Sequence, residues 1–279
     1  MDTLKLYKED VYRKCCETQL TACRVEEDGL LLEFAETVFF PEGGGQPSDI
    51  GTATIAGESF RIDAAREDGN AVIHICAYSG AALPVVGASA FLEINWEHRF
   101  DNMQRHCGEH ILSGIFYKKF GGVNRGFHMG SDHITLDINF EGEQTYTELT
   151  DEMIEELELA ANEVIWQDIP VTASFFTDRE TAVGLPLRKE LTVDHDISVI
   201  AIGEGERLTD CVACCGTHPS STGQIGLLKI YKVEKNKGMF RVYFEAGRRA
   251  FLDYRKKHDI VTALGNKFST GADDLIAQM

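Results

Sequence analysis

His106 and His110 stand four residues apart, Cys214 and His218 stand four apart, and about a hundred residues separate the two pairs. On a helix, the i, i+4 spacing puts both imidazoles on one face a turn apart, so that both reach a single ion. Neutral imidazole and thiolate are the donors zinc prefers, at about 2.0–2.3 Å in a tetrahedron. If the chain folds the pairs together, His106, His110, Cys214 and His218 hold one Zn2+. Cys211 and Cys215 beside the second pair are alternative thiol ligands. The competing reading is a pair of core histidines beside inert thiols. It requires two correctly spaced donor pairs, with Gly216 inside the second, to arise without a metal.

Two other chemistries share these residues. Cys211-Val212-Ala213-Cys214 spells a CxxC, but no second CxxC completes four thiolates and no thioredoxin-like βαβ opening precedes it. His106-x-x-Glu109-His110 matches the HxxEH pattern of inverzincin metallopeptidases, in which the glutamate is general base to a water on zinc. That chemistry calls for an acidic ligand further on, where this chain offers Cys214 and His218.

The elements that must position these groups are legible from periodicity. After Trp96, apolar residues recur at three and four through Phe100, Met103, Cys107, Ile111 and Ile115, which predicts an amphipathic helix carrying His106 and His110 and ending at Gly121-Gly122. A second helix is predicted over Asp151 to Trp166, capped by Thr150 and stopped before Ile169-Pro170. Strands are expected at 134–138, 171–175, 197–202, 227–233 and 240–244, and a last helix from Ala250 to the end. Ahead of all this, extended runs at 30–34, 52–55, 71–77 and 90–94, broken by glycine and charged turns, suit a small β-barrel. The fold class is therefore α+β. Within the barrel region, Gly43-Gly44-Gly45-Gln46-Pro47 lets the backbone take positive φ and approach another surface closely; its plainer reading is a flexible hairpin connection.

A chain of 279 residues, 43% hydrophobic, buries a real core. No run approaches the roughly 18 apolar residues of a membrane span, and the opening decapeptide is charged, which places the protein in the cytoplasm with its eight cysteines reduced. A formal charge of −18 excludes nonspecific coating of nucleic acid, since phosphate binding draws on Lys and Arg. Any RNA contact must come from local basic patches, such as Arg248, Arg249, Arg255, Lys256 and Lys257, or Lys118 and Lys119 with Arg105 and Arg125; a solvated helix face is the alternative.

Several of these segments occur together in a known family. His106-Cys107-Gly108-Glu109-His110-Ile111-Leu112, then Cys214-Cys215-Gly216-Thr217-His218 and Thr222-Gly223-Gln224-Ile225-Gly226, resemble the editing-domain signature of alanyl-tRNA synthetase and its freestanding homologues. The Gly43–Pro47 loop and the Arg241–Ala250 stretch match as well, so the resemblance covers about residues 17 to 250. It implies an N-terminal β-barrel domain over 1–94, a zinc-binding editing domain over 95–250 and a C-terminal helix over 251–279 that opens a further helical region. It implies one zinc ion and hydrolysis of the aminoacyl ester on tRNA(Ala) mischarged with serine, with glycine as a further candidate. A dimer formed through a region beyond residue 279 is one possible assembly. Glu109 is the candidate catalytic group, and Gly43, Gly44, Gly45, Gln46, His128 and Thr217 are expected near the substrate, with Asp210 orienting a zinc imidazole. Two positions depart from the family pattern: Cys215 stands where the motif usually has its first Gly, and Glu109 where the synthetase usually has Thr. A metallopeptidase and a noncatalytic tRNA-binding module with structural zinc are the alternative functions.

Overall fold

Alternation of inward apolar and outward polar side chains closes the first third of the chain into a barrel. The computed structural model of the protein describes residues 2–27, 29–78, 80, 82–140 and 146–278. Strands β1 (Leu4–Lys5) and β4 (Glu36–Thr37) form a short parallel ladder, while β2 (Cys15–Glu26), β3 (Gly29–Phe34), β5 (Gly51–Ile55), β6 (Glu58–Asp68), β7 (Ala71–Cys76) and β8 (Ser89–Ile94) form a closed antiparallel barrel. The barrel order is β2-β3-β7-β6-β5-β8. Its interior is filled by Leu20, Leu32, Phe34, Phe39, Ile62, Val72 and Leu92, all essentially out of solvent. Closure leaves no free sheet edge, which is how so small a sheet protects its backbone.

Helix α1 (Trp96–Phe120) follows, started by Asn95, whose side chain accepts from the His98 N–H, and stopped by Gly121 at φ 65°. Every residue from Asn102 to Phe116 is buried, so the helix is the axis of the second part of the molecule rather than a surface element. Around it lie β9 (Gly122–Met129), β10 (Ile134–Phe140), α2 (Asp151–Trp166), β11 (Val171–Asp178), β12 (His195–Ile202), β13 (Asp210–Ala213), β14 (Leu228–Asn236) and β15 (Met239–Ala246). These strands make two antiparallel sheets, β14-β15-β10-β9 and β11-β12-β13. One core joins Ile111, Leu112 and Phe116 of α1 to Leu136, Leu157, Ile202, Val242 and Phe244.

The chain ends in α3 (Arg248–Phe268) and α4 (Leu275–Gln278), so the predicted C-terminal helix is interrupted: Ser269 takes φ 54° and a 3-10 turn over Ala272–Asp274 intervenes. Met279 lies outside the described residues. Among the described residues, no helix is long and apolar enough to cross a membrane.

Buried charge ties the barrel to α1. Arg99 is wholly enclosed, grips Asp49 with Nε and Nη2, and donates to the carbonyls of Val11 and Val38 at 2.8 and 2.7 Å. An isolated charge at this depth would be costly, and pairing both partners satisfies it. Asp49 also accepts from the Phe40 N–H at 2.7 Å, which fixes the segment leading into the glycine loop. The sequence-level grouping of Arg105 with a surface patch is corrected here. Arg105 is buried, donating to Glu245 at 2.8 Å and to the Gly130 carbonyl at 2.6 Å. Arg248, Arg249 and Lys119 are likewise paired, with Glu97, Asp101 and Glu156.

Candidate metal centre

Helix α1 presents His106 and His110 from consecutive turns, and the loop after β13 presents Cys214 and His218 against them. One donor atom from each of these four residues lies within 4.8 Å of every other. Cys214 Sγ is 3.5 Å from His106 Nε2 and 3.5 Å from His218 Nε2. A tetrahedral zinc with about 2.0 Å to nitrogen and about 2.3 Å to sulfur places those donors about 3.5 Å apart. The donor set and its spacing therefore fit this ion. Cys211 and Cys215 lie outside the cluster among the described residues.

The outer nitrogens of two imidazoles are held. His106 Nδ1 is 2.9 Å from Gln46 Oε1, and His110 Nδ1 is 3.0 Å from Asp210 Oδ2. Each bond fixes the tautomer and ring so that Nε2 faces the centre. Asp210 is itself locked by Arg188, whose Nε and Nη2 donate to its two oxygens at 2.6 and 3.1 Å. Gln46 also accepts from the Thr217 N–H at 3.0 Å and donates to Thr217 Oγ1 at 2.8 Å. With Gln46 buried and these contacts made, its geometry suits bracing His106 and Thr217 rather than meeting a substrate.

Charge in the pocket favours ligation. Burial alone would raise the Cys214 thiol, but His106 and His110 against it outweigh burial and hold it well below the ordinary thiol range, so sulfur is available as thiolate. Burial, helped by His106, pushes His218 down to about 3, leaving a neutral imidazole. Burial opposes a charge on His110 too, yet Cys214 and Asp210 lift it to about 10; an incoming cation displaces that proton.

Glu109 sits on the flank of the cluster, 2% exposed, with Oε2 4.0 Å from His110 Nε2. Its Oε1 accepts from Ser113 at 2.5 Å and Asn124 at 2.6 Å, which leaves Oε2 as the less engaged oxygen, turned toward the donors.

The glycine loop reaches this centre from the barrel. Gly43 and Gln46 exchange two backbone hydrogen bonds across a tight turn, with Gly44 and Gly45 at φ 59° and 79°. A Cβ on Gly44 would stand 2.9 Å from Cys215 Sγ, so the turn lies directly on the ligand loop. Gly216 is tighter still, since its Cβ would fall 2.3 Å from His106 Cε1. A cavity of about 560 Å³ runs along the other flank of the ligand loop, bounded by Tyr7–Val11, Phe175, Ser198 and Cys214–Ser220.

Comparison with known proteins agrees with this arrangement. Residues 197–243 match the family model described as the threonyl and alanyl tRNA synthetase second additional domain. The chain is 33% identical to alanyl-tRNA editing protein AlaX-L of Pyrococcus horikoshii over 251 residues, 88% of this chain and 58% of that protein. The chain is a homologue of the alanyl-tRNA editing proteins. Alanyl-tRNA editing protein Aarsd1 of Danio rerio is 32% identical over 88% of the chain and 56% of its own length, and the alanine–tRNA ligase of Pyrococcus furiosus is 31% identical over 93% and 28%. The chain thus spans a little over half the length of the editing proteins and under a third of the ligase.

In this editing-protein homologue, the structure draws His106, His110, Cys214, His218, Glu109, Gln46, Thr217, Asp210 and Gly43–Gly45 into one region. His128 is not drawn in. It is exposed on β9, and strand alternation turns it away from its neighbour Phe127, whose ring lies 5.2 Å from that of His106. Three residues of the region carry no sequence signal that singled them out: Arg188, Ser113 and Asn124. Ser113 was within reach of a spacing argument, being four residues from Glu109 on the same helix.

Proposed function

We propose that this chain is a zinc-dependent deacylase that hydrolyses the aminoacyl ester of tRNA(Ala) mischarged with serine. The observation that carries this reading is the convergence of three imidazoles and one thiol with an adjacent oriented carboxylate, in a chain homologous to proteins named for alanyl-tRNA editing. His106, His110, Cys214 and His218 would hold the ion, which supplies a Lewis acid for carbonyl or water when bound. Glu109 is then the group that manages the proton. Hydrolysis adds water across the ester, so one proton must leave the attacking water and one must reach the ribose oxygen. Glu109 Oε2, with Oε1 held by Ser113 and Asn124, is the buried acceptor in position for the first transfer.

Discrimination follows from the same enclosure. A site that hydrogen-bonds the serine hydroxyl leaves buried polar groups unpaired when alanine enters, a difference that reaches roughly 10⁴. Correctly charged tRNA is spared on that basis.

A second reading is favoured by the donor count. Four protein ligands close a tetrahedral zinc, which is the habit of structural sites. One assay separates the readings: the purified protein is incubated with seryl-tRNA(Ala), alanyl-tRNA(Ala) and a peptide mixture, with and without chelator. Release of serine alone, abolished by chelator and restored by zinc, is the expected result. Intact seryl-tRNA(Ala) with zinc bound leaves the noncatalytic module, and peptide cleavage leaves the metallopeptidase.

A further inference from the structure

The flank of the centre that carries Glu109 and Asp210 has cations of its own. Arg125 follows Asn124 on β9; Asn124 is buried against Glu109, and strand alternation turns Arg125 outward, where it is exposed. Lys189 follows Arg188, which is anchored twice, by its side chain to Asp210 and by its backbone N–H to the Cys211 carbonyl at 2.7 Å. Each cation is therefore the chain neighbour of a side chain that grips a carboxylate of the centre, one from either side.

Lys189 is half-buried and has neither an ion-pair nor a hydrogen-bond partner among the described residues. That is unusual in a chain with a formal charge of −18, where carboxylates outnumber cations and the surface lysines Lys5, Lys119, Lys229, Lys232 and Lys257 are each paired. Burial, then Arg188, lowers the Lys189 ammonium, with Arg125 adding to the effect and Glu109 and Asp210 opposing it, so all of these groups are within electrostatic reach of one another. Arg188 is committed to Asp210. Crowding further positive charge beside it, without an acidic partner for Lys189, leaves a local demand for an anion.

We infer that Lys189, with Arg125 beside it, is the contact for a backbone phosphate near the 3′ end of the RNA whose terminal ester enters the Glu109 flank. This rests on the deacylase reading and extends it from the ester to the strand that carries it. An acidic surface repels a phosphodiester chain everywhere except at such a spot, so the contact selects the approach as well as adding affinity.

The experiment compares two substrates that share the ester and differ in the phosphates: seryl-tRNA(Ala), and the seryl ester of adenosine, which has none. For Lys189→Ala, kcat/KM on seryl-tRNA(Ala) is expected to fall about tenfold through KM, with the nucleoside ester unchanged. The slope of log kcat/KM against log salt should shrink by about 0.7, the value of one single-strand phosphate contact. Lys189→Arg should restore the slope, and Arg125→Ala should act in the same direction as Lys189→Ala. Equal losses on both substrates, or an unchanged salt slope, would overturn the assignment while leaving the deacylase reading intact. An unsubstituted protein inactive on both esters would instead remove the deacylase reading, and this inference with it.

Discussion

Replacing Gly216 with alanine probes the centre with a single methyl group. Gly216 is not among the positive-φ residues, so alanine adds no backbone strain there and the whole effect is steric. The new Cβ would stand 2.3 Å from His106 Cε1, 2.4 Å from its Nδ1 and 2.8 Å from Gln46 Oε1. Carbon atoms rest at about 3.5–4.0 Å, so the ring has to retreat by more than about 1 Å. A retreat of that size breaks the 2.9 Å bond to Gln46. It also carries Nε2 out of range, because metal–donor distances tolerate only about 0.2 Å. Loss of an orienting partner typically lowers metal affinity 10–100-fold, and displacing the ligand itself goes further. Zinc affinity in Gly216→Ala is therefore expected to fall by at least about 100-fold, equivalent to about 2.8 kcal/mol. Competition against a chromophoric chelator measures it, with far-ultraviolet circular dichroism showing that the fold is retained. Zinc binding within about threefold of the unsubstituted protein would refute the claim that His106 is a ligand held by this loop.

Three other outcomes are expected. Glu109→Gln keeps the shape and the Ser113 and Asn124 contacts but removes the basic oxygen; deacylation should fall about 10²–10⁴-fold, and a comparable loss of bound zinc would show that Glu109 serves the metal instead. Gly44→Val forces a β-branched residue to φ 59° and a Cβ to 2.9 Å from Cys215 Sγ, so activity should drop at least tenfold and stability by about 1–3 kcal/mol, with zinc retained; unchanged kinetics would detach the loop from the site. His74, enclosed in the barrel between Thr37 and the Leu32 carbonyl, is pushed down to about 4 by burial. Above pH 6.5 it is neutral folded or unfolded and costs nothing. Between pH 6.5 and 4 the unfolded chain takes up the proton first, so about 3 kcal/mol of stability is lost on acidification. Urea titrations across that range should show a shallower loss in His74→Gln, and identical pH slopes would refute the assignment.

Where one element buries one stripe, the sequence announced it. Helix α2 begins and ends as the Thr150 cap and the Ile169-Pro170 stop require, and α1 ends at Gly121. The strands that escaped notice are those whose neighbours supply their pattern. β2 and β6 run for 12 and 11 residues with charged side chains on their exposed faces, and only closure of the barrel makes them strands. β9, with Gly122 and Gly126 inside it, is held by its ladder to β10. The same holds at the centre. Four donors at i, i+4 spacings can be read from a line of text, because that spacing is a local property of the backbone. Arg188 follows Leu185-Pro186-Leu187 in a segment without periodicity, and its bond to Asp210 exists only once β13 has paired with β12. Gln46 was legible as a neighbour of the site, but its bond to His106 spans 60 residues and two parts of the fold.

That last bond has a thermodynamic consequence. Gln46 belongs to the barrel, His106 to the central helix and Thr217 to the ligand loop, so a single amide clasps three separately built pieces. Coupling of this kind is reciprocal: whatever free energy a seated barrel lends to the capture of an ion, a captured ion returns as firmer seating of the barrel. The metal therefore acts as a rivet for the tertiary assembly, and chelation should loosen the junction of the two halves before it unravels either one.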